Sequence, residues 1–168
     1  DGSGLPRLAW KWSSTPDTRS WAPPAPSPVA QLPPKSAIAQ IPDVPQFFGP
    51  ARDGKLPDVG LSTDWTASAP KELWRQPIGL GWSAFAVANG RAYTQEQRGE
   101  NELVSCYGLL TGRLLWARTN QVRFSQWQGG DGPRATPTGT GSILVAYGAT
   151  GILDCGKSDS GERIWSRN

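Results

Sequence analysis

The stretch L-V-S-C-Y-G-L-L-T-G-R-L-L-W-A-R, Leu103 to Arg118, is followed by I-L-D-C-G-K-S-D-S-G-E-R-I-W-S-R, Ile152 to Arg167. The two align without a gap over sixteen residues at a spacing of 49. Cys106 falls on Cys155, Thr111-Gly112 on Ser160-Gly161, Trp116 on Trp165 and Arg118 on Arg167. The chemistry of this pattern is local. A Ser or Thr hydroxyl can bond nearby backbone, and the glycine after it tolerates positive φ, so each pair marks a hairpin. The tryptophan then sits on the strand that follows. A large flat ring there can cover the backbone of a neighbouring sheet and bury roughly 200 Å².

Upstream of each copy the same order of elements recurs. Ala84 to Ala88 reads as a strand ended by Asn89-Gly90, a strong hairpin signal. Arg91 to Gln95, the polar tip Arg98 to Asn101, Glu102 to Tyr107 and Arg113 to Arg118 complete the first set. Thr136 to Thr138, Ile143 to Tyr147, Gly151 to Cys155 and Glu162 to Arg167 make the second. Asn89-Gly90 matches Thr140-Gly141 at a spacing of 51, which puts a two-residue difference in the hairpin tip, where insertions cost little. Lys71 to Pro77 reads as one further strand, and its Leu73-Trp74-Arg75 is a loose third copy. No segment shows a 3.6-residue period. Four short strands per 40–50 residues is the signature of a propeller blade, a unit that must stack on neighbours to bury its faces. The expected fold is all-β: a partial β-propeller of about two four-stranded antiparallel blades, near 82–118 and 132–168, after an entry segment at 46–81.

Composition agrees. Glycine and proline number 20 and 16 among 168 residues, an excess that excludes helical bundles and coiled coils. Histidine is absent, which removes Ser-His and Cys-His catalysis and the usual zinc sites. The net charge is +3, spread along the chain without the basic stripe of a nucleic-acid binder. No run of 18 apolar residues occurs, so no transmembrane helix is expected. Methionine is also absent, and a processed or trimmed chain is expected. Cys106 and Cys155 occupy equivalent positions on adjacent blades, beyond the ~7 Å Cα separation a disulfide allows, so they are expected not to pair.

Residues 1–45 hold ten of the sixteen prolines, which forbid a helix or a central strand there. The same segment carries Trp10, Trp12 and Trp21, which a solvated linker would lack. It is expected to lie extended along another protein surface, with these three rings as contacts.

The residues from Cys106 to Trp116 resemble the eleven-residue tryptophan-docking motif A-x-D-x-x-T-G-K-x-x-W of the pyrroloquinoline-quinone-like β-propeller family. Thr111, Gly112, Arg113 and Trp116 match it, while Cys106 and Gly108 stand at its Ala and Asp. In the second copy Gly161 and Trp165 match and Ser160 is conservative. Lys157 and Glu162 depart from the Asp and Lys positions, so a less regular turn is expected there. The segments Phe48-Gly49-Pro50-x-Arg52-Asp53-Gly54, Asp64-Trp65, Thr94 to Gly99 and Gly132 to Pro137 resemble bacterial exported members.

The family holds quinoprotein dehydrogenases, with calcium, a catalytic Asp and a vicinal disulfide, and also non-catalytic periplasmic propellers that bind proteins. This chain has no adjacent cysteines. Its acidic residues Glu96, Glu100 and Glu102 fall in one hairpin tip and read as a solvated edge. Gly129 to Arg134 is Gly-rich, but it lacks the Lys-Ser/Thr of a phosphate loop and reads as a connection between blades. Arg134 is placed by topology alone at the central channel. The resemblance therefore implies a non-catalytic binding or scaffold subunit with no catalytic residue, cofactor or metal. Its expected partners are other protein subunits, of a periplasmic or exported, membrane-associated complex. The alternative is the N-terminal part of a dehydrogenase-like enzyme whose site lies on further blades.

Overall fold

The computed structural model describes residues 41–56 and 59–168. Trp10, Trp12 and Trp21 lie outside the described residues. Eight strands form two four-stranded antiparallel sheets in simple up-and-down order. The first contains β1 (Ala86–Ala88), β2 (Arg91–Arg98), β3 (Asn101–Gly108) and β4 (Leu114–Asn120). The second contains β5 (Thr138–Thr140), β6 (Ile143–Tyr147), β7 (Leu153–Lys157) and β8 (Arg163–Arg167). No helix occurs among the described residues. The expected all-β class and its two sheets are therefore present.

Register shows why the repeat reads as it does. Tyr93 and Cys106 are partners in the first sheet, and Val145 and Cys155 hold the same place in the second. Cys106 in turn faces Trp116, and Cys155 faces Trp165. Each third-to-fourth strand pair carries a bulge directly after its cysteine. Thirteen positions separate Tyr93 from Cys106 and ten separate Val145 from Cys155. The sheets thus differ by three residues at the hairpin tip rather than two. The first hairpin turns on Asn89 and Gly90, both with positive φ (51° and 72°). Its structural equivalent in the second sheet is Gly141-Ser142, not Thr140-Gly141. Tight turns joining twisted strands favour such φ values, and Asn and Gly are the residues that accept them.

Both strands at the centre of the first sheet are buried along nearly their whole length, whereas β8 is exposed at every position. The core gathers Ala86, Tyr93, Val104, Cys106 and Trp116 from the first sheet with Leu144 and Ala146 from the second. One apolar cluster therefore spans the junction. Both cysteines are free and buried.

Lys71 to Pro77 is not a strand. Its backbone finds no ladder partner, and what holds it is the Trp74 side chain described below, with Arg98 donating to the Pro77 carbonyl at 3.0 Å. Pairing begins only at Leu80, whose N–H and C=O bond Gln97. A second unexpected pairing lies at the inner edge. Val44 exchanges two hydrogen bonds of 2.8 Å with Val87 of β1, and Gly139 of β5 donates to Pro45 at 2.8 Å. The end of the Pro-rich segment, expected to lie along another protein, thereby joins the first strands of both sheets of this chain. Val44→Pro removes one of these donors and strands an acceptor. It is expected to lower stability by about 1–3 kcal/mol and to speed amide exchange at Val87 and Gly139 together, measured by NMR. Exchange that rises at neither amide would show that Val44 and Pro45 do not close this edge.

Candidate protein-docking interface

The two Ser/Thr-Gly hairpins fold alike. In the first, Gly108 donates to the Arg113 carbonyl at 2.9 Å and Gly112 donates to the Gly108 carbonyl at 2.8 Å. In the second, Lys157 donates to Glu162 at 2.8 Å and Gly161 to Lys157 at 2.9 Å. The Thr111 hydroxyl accepts from the Arg113 amide and the Ser160 hydroxyl from the Glu162 amide, both at 3.3 Å. The less regular second turn expected from Lys157 and Glu162 does not occur. Backbone bonds close the loop, and the two side chains form their own ion pair at 2.7 Å.

Each hairpin glycine carries an indole. Gly112 has φ of 63°, and a Cβ added there would overlap the Trp74 ring. Gly161 has φ of 74°, and a Cβ there would lie 2.5 Å from the Trp116 ring. The indole N–H of Trp74 donates to the Leu109 carbonyl at 2.8 Å, three residues before Gly112. That of Trp116 donates to the Ser158 carbonyl at 3.3 Å, three residues before Gly161. Tyr93 adds its hydroxyl to the same carbonyl at 3.1 Å. So the tryptophan of one unit docks on the hairpin of the next, and the glycine both takes the positive φ without strain and leaves the space that the ring fills. Leu73-Trp74-Arg75 is the docking element for the first sheet. Trp165, next in the series, is 41% exposed and no ring or hairpin covers it among the described residues.

Charge lies beside the indole at the junction. Asp154 of β7 is buried, with Nδ2 of Asn120 donating to it at 2.7 Å. Nε of Arg163 stands 3.2 Å from Asp154 and Nε of the buried Arg118 3.6 Å away. Arg118 also donates to the Gly161 carbonyl at 3.2 Å and runs over the bare Cα of Gly156, where a Cβ would collide with it. Burial alone would raise the Asp154 pKa. Hydrogen bonds from Asn120 and Ser166 and the charges of Arg118 and Arg163 outweigh it and hold the carboxyl below its ordinary value. Burial pulls Arg118 down from the usual guanidinium range, against the attraction of Asp154.

The acidic trio expected at a solvated tip separates. Glu100 is exposed, but Glu96 and Glu102 are buried. Glu96 is satisfied by the Gly79 amide (2.6 Å), the Ser105 hydroxyl (2.5 Å), the Tyr107 hydroxyl (3.1 Å) and Nε of Arg98 (2.8 Å). Glu102 accepts from the Ala149 amide of the second sheet at 2.9 Å, and burial pushes its pKa up. A hairpin longer than its neighbour's places both under adjoining chain, which a position near a turn does not reveal. Burial also raises the Cys106 thiol to about 12, so it is inert at neutral pH. Arg134 does not stand free: it donates to Gln126, Gly129 and Gly130 and lies over the Phe124 ring at 5.0 Å. Gly129 to Arg134 is thus a tied loop. No group of three His, Cys, Asp or Glu side chains fit to hold a metal is found among the described residues.

A shallow groove of about 310 Å³ lies at the entry segment, between Phe47, Phe48, Leu56 and Phe85. Phe48 has φ of 64°, unusual for a bulky residue. No helix among the described residues is long and apolar enough to cross a membrane.

No family model and no curated protein matches this chain.

Two measurements test the interface. Gly161→Ala carries the cost of positive φ and of a methyl driven into Trp116, whereas Gly141→Ala carries the first alone, because no atom lies within 4 Å of its added Cβ. Urea unfolding is expected to show losses of about 1–2 kcal/mol at Gly141 and roughly 1–3 kcal/mol more at Gly161. Equal losses would mean that Trp116 is not seated. Asp154→Asn leaves buried arginine uncompensated and is expected to cost about 3 kcal/mol at pH 7. The folded pKa of Asp154 is depressed, so its contribution is present above the unfolded value and fades as pH falls through the folded one. The gap between variant and parent must therefore close in acid. Glu102→Gln is the converse control. Its folded pKa is raised, so ionisation opposes folding as pH climbs past the unfolded value, and the variant is expected to match or exceed the parent at pH 7.

Proposed function

We propose that this chain is a non-catalytic binding and scaffold subunit whose two sheets are blades of a partial β-propeller. Its partners are other protein subunits of a complex in the periplasm or another exported location, associated with a membrane through those partners. The observation that carries this reading is the contrast between β4 and β8. The same Trp and Arg positions are buried in the first by the following sheet, and β8 is exposed throughout. An exposed edge strand and a partly uncovered indole form a surface that further β-structure, of this chain or of another, would cover. The buried acids support the same reading, since Glu96, Glu102 and Asp154 are each engaged in holding the fold. The periplasmic and membrane-associated setting rests on the family resemblance of the repeat.

A photo-crosslinking residue at Ile164 tests the proposal in cells that make the protein. A discrete protein adduct is expected there, and none from the same residue at exposed Glu72, away from the sheets. Adducts absent from Ile164, or equal at both sites, would overturn the binding reading.

A further inference from the structure

The inner edges of the two sheets hold a short stretch of chain as a sheet edge holds a peptide. Val44 lies antiparallel to Val87, with two hydrogen bonds of 2.8 Å between them. The Asn89 amide donates to Oδ1 of Asp43 at 3.1 Å, and the Gly139 amide donates to the Pro45 carbonyl at 2.8 Å. Val87 and Gly139 hold the same place in their sheets, one opposite Ala92 and the other opposite Leu144. Each sheet therefore turns one equivalent amide inward, and the two meet consecutive carbonyls, those of Val44 and Pro45. Pro45 has no N–H to offer, and no bond in this pattern needs one.

Three observations mark these residues as an occupant rather than as a part of either sheet. The apolar cluster that spans the junction is drawn wholly from strand residues, whereas Asp43 is exposed and Val44 and Pro45 are half-buried. β1 and β5 also touch each other directly, so the junction exists without the strap. The sequence holds the pattern twice: Ile41-Pro42-Asp43-Val44 recurs fifteen positions on as Leu56-Pro57-Asp58-Val59.

We propose that the inner edges of β1 and β5 form a peptide-binding site for extended segments of the type apolar-Pro-Asp-Val. Residues 41–45 fill it in cis, and a segment of a partner subunit enters it by exchange. The ladder bonds supply affinity whatever the side chains, and the carboxylate on the Asn89 amide supplies selection. Tethering keeps the chain's own segment ahead of a free peptide, because it acts at an effective concentration of about millimolar. The inference rests on the scaffold reading for the donor, a partner subunit, and names the kind of segment through which that partner joins.

The test is an NMR titration of the isotopically labelled full chain with a synthetic peptide of residues 41–47. Val44→Pro in the chain opens the strap. In that variant the peptide is expected to shift the Val87, Asn89 and Gly139 amides saturably, and to bind the parent chain about tenfold or more weakly. An N-methyl group on the peptide's Val44 removes the donor to Val87 and is expected to abolish binding, and Asp43→Ala in the peptide to weaken it several-fold. A peptide of residues 56–61, the second copy of the pattern, is expected to shift the same amides. If Val44→Pro loses the dispersed signals of Tyr93 and Leu144, Asp43→Ala in the chain replaces it, since it removes only the Asn89 contact. An opened, folded chain whose three amides ignore the peptide would overturn the inference. Equal binding to parent and variant, or an N-methylated peptide that binds as well as the plain one, would do the same by placing the contact elsewhere. Loss of fold in both variants would also overturn it, because the strap would then be part of the fold and not a ligand. An Ile164 adduct in cells without a peptide response leaves the scaffold reading standing and removes only the peptide site.

Discussion

An indole laid on a glycine is the contact on which the two-sheet arrangement depends. Trp116 can reach the carbonyl of Ser158 only because Gly161 has no side chain, and the same lack lets Gly161 hold its φ without strain. The hairpin and the tryptophan are therefore one device written at two places in the sequence. Dispersion over the ring face, a hydrogen bond at its edge and the exclusion of water act at the same spot. The core cluster that spans both sheets has Trp116 as a member, so packing inside the sheets and docking between them are not separable.

Beside this apolar contact lies a buried ion pair, and the two do different work. Burying Asp154 and Arg118 is costly, and their attraction at 3.6 Å offsets that cost only with help from Asn120, Arg163 and the Gly161 carbonyl. Such a group adds little to net stability compared with an apolar pair of equal volume. It does penalise a mismatched neighbour, since either charge left alone is strongly unfavourable. The indole supplies adhesion and the charges supply discrimination.

The fold was legible because its signals are local. Paired hairpin residues at a spacing of 49 fix strand order, and Trp116 declares which strand is outermost. Hidden in the sequence are the outcomes that depend on contacts distant in the chain. Lys71 to Pro77 has strand-like composition, but a strand is defined by a partner, and none of its neighbours provides one. Glu96 and Glu102 look solvated because they flank a turn, yet chain from residues 79 and 149 closes over them. Asp154 carried a faint signal: it is an acid inside a strand at the place where the first copy has Ser105. Arg118 and Arg167 coincide in the repeat, but only the structure shows that the first of them needs a carboxylate.

The stitch between Val44, Val87 and Gly139 bears on how this protein reaches its native state. Each sheet is a meander of neighbouring strands, so its loops are short and its closure entropy small. The stitch instead joins residues 43 and 94 positions apart, and its second bond needs β5 already in place. Contacts of that span form late, after the loops they close have been shortened by other structure. Loop-closure entropy favours the order hairpins, sheets, docked pair and finally the inner edge. A ribosome delivers residues 41–45 before either sheet, yet closure entropy favours their pairing last. During synthesis Val44 and Pro45 therefore wait unpaired while more than ninety further residues emerge.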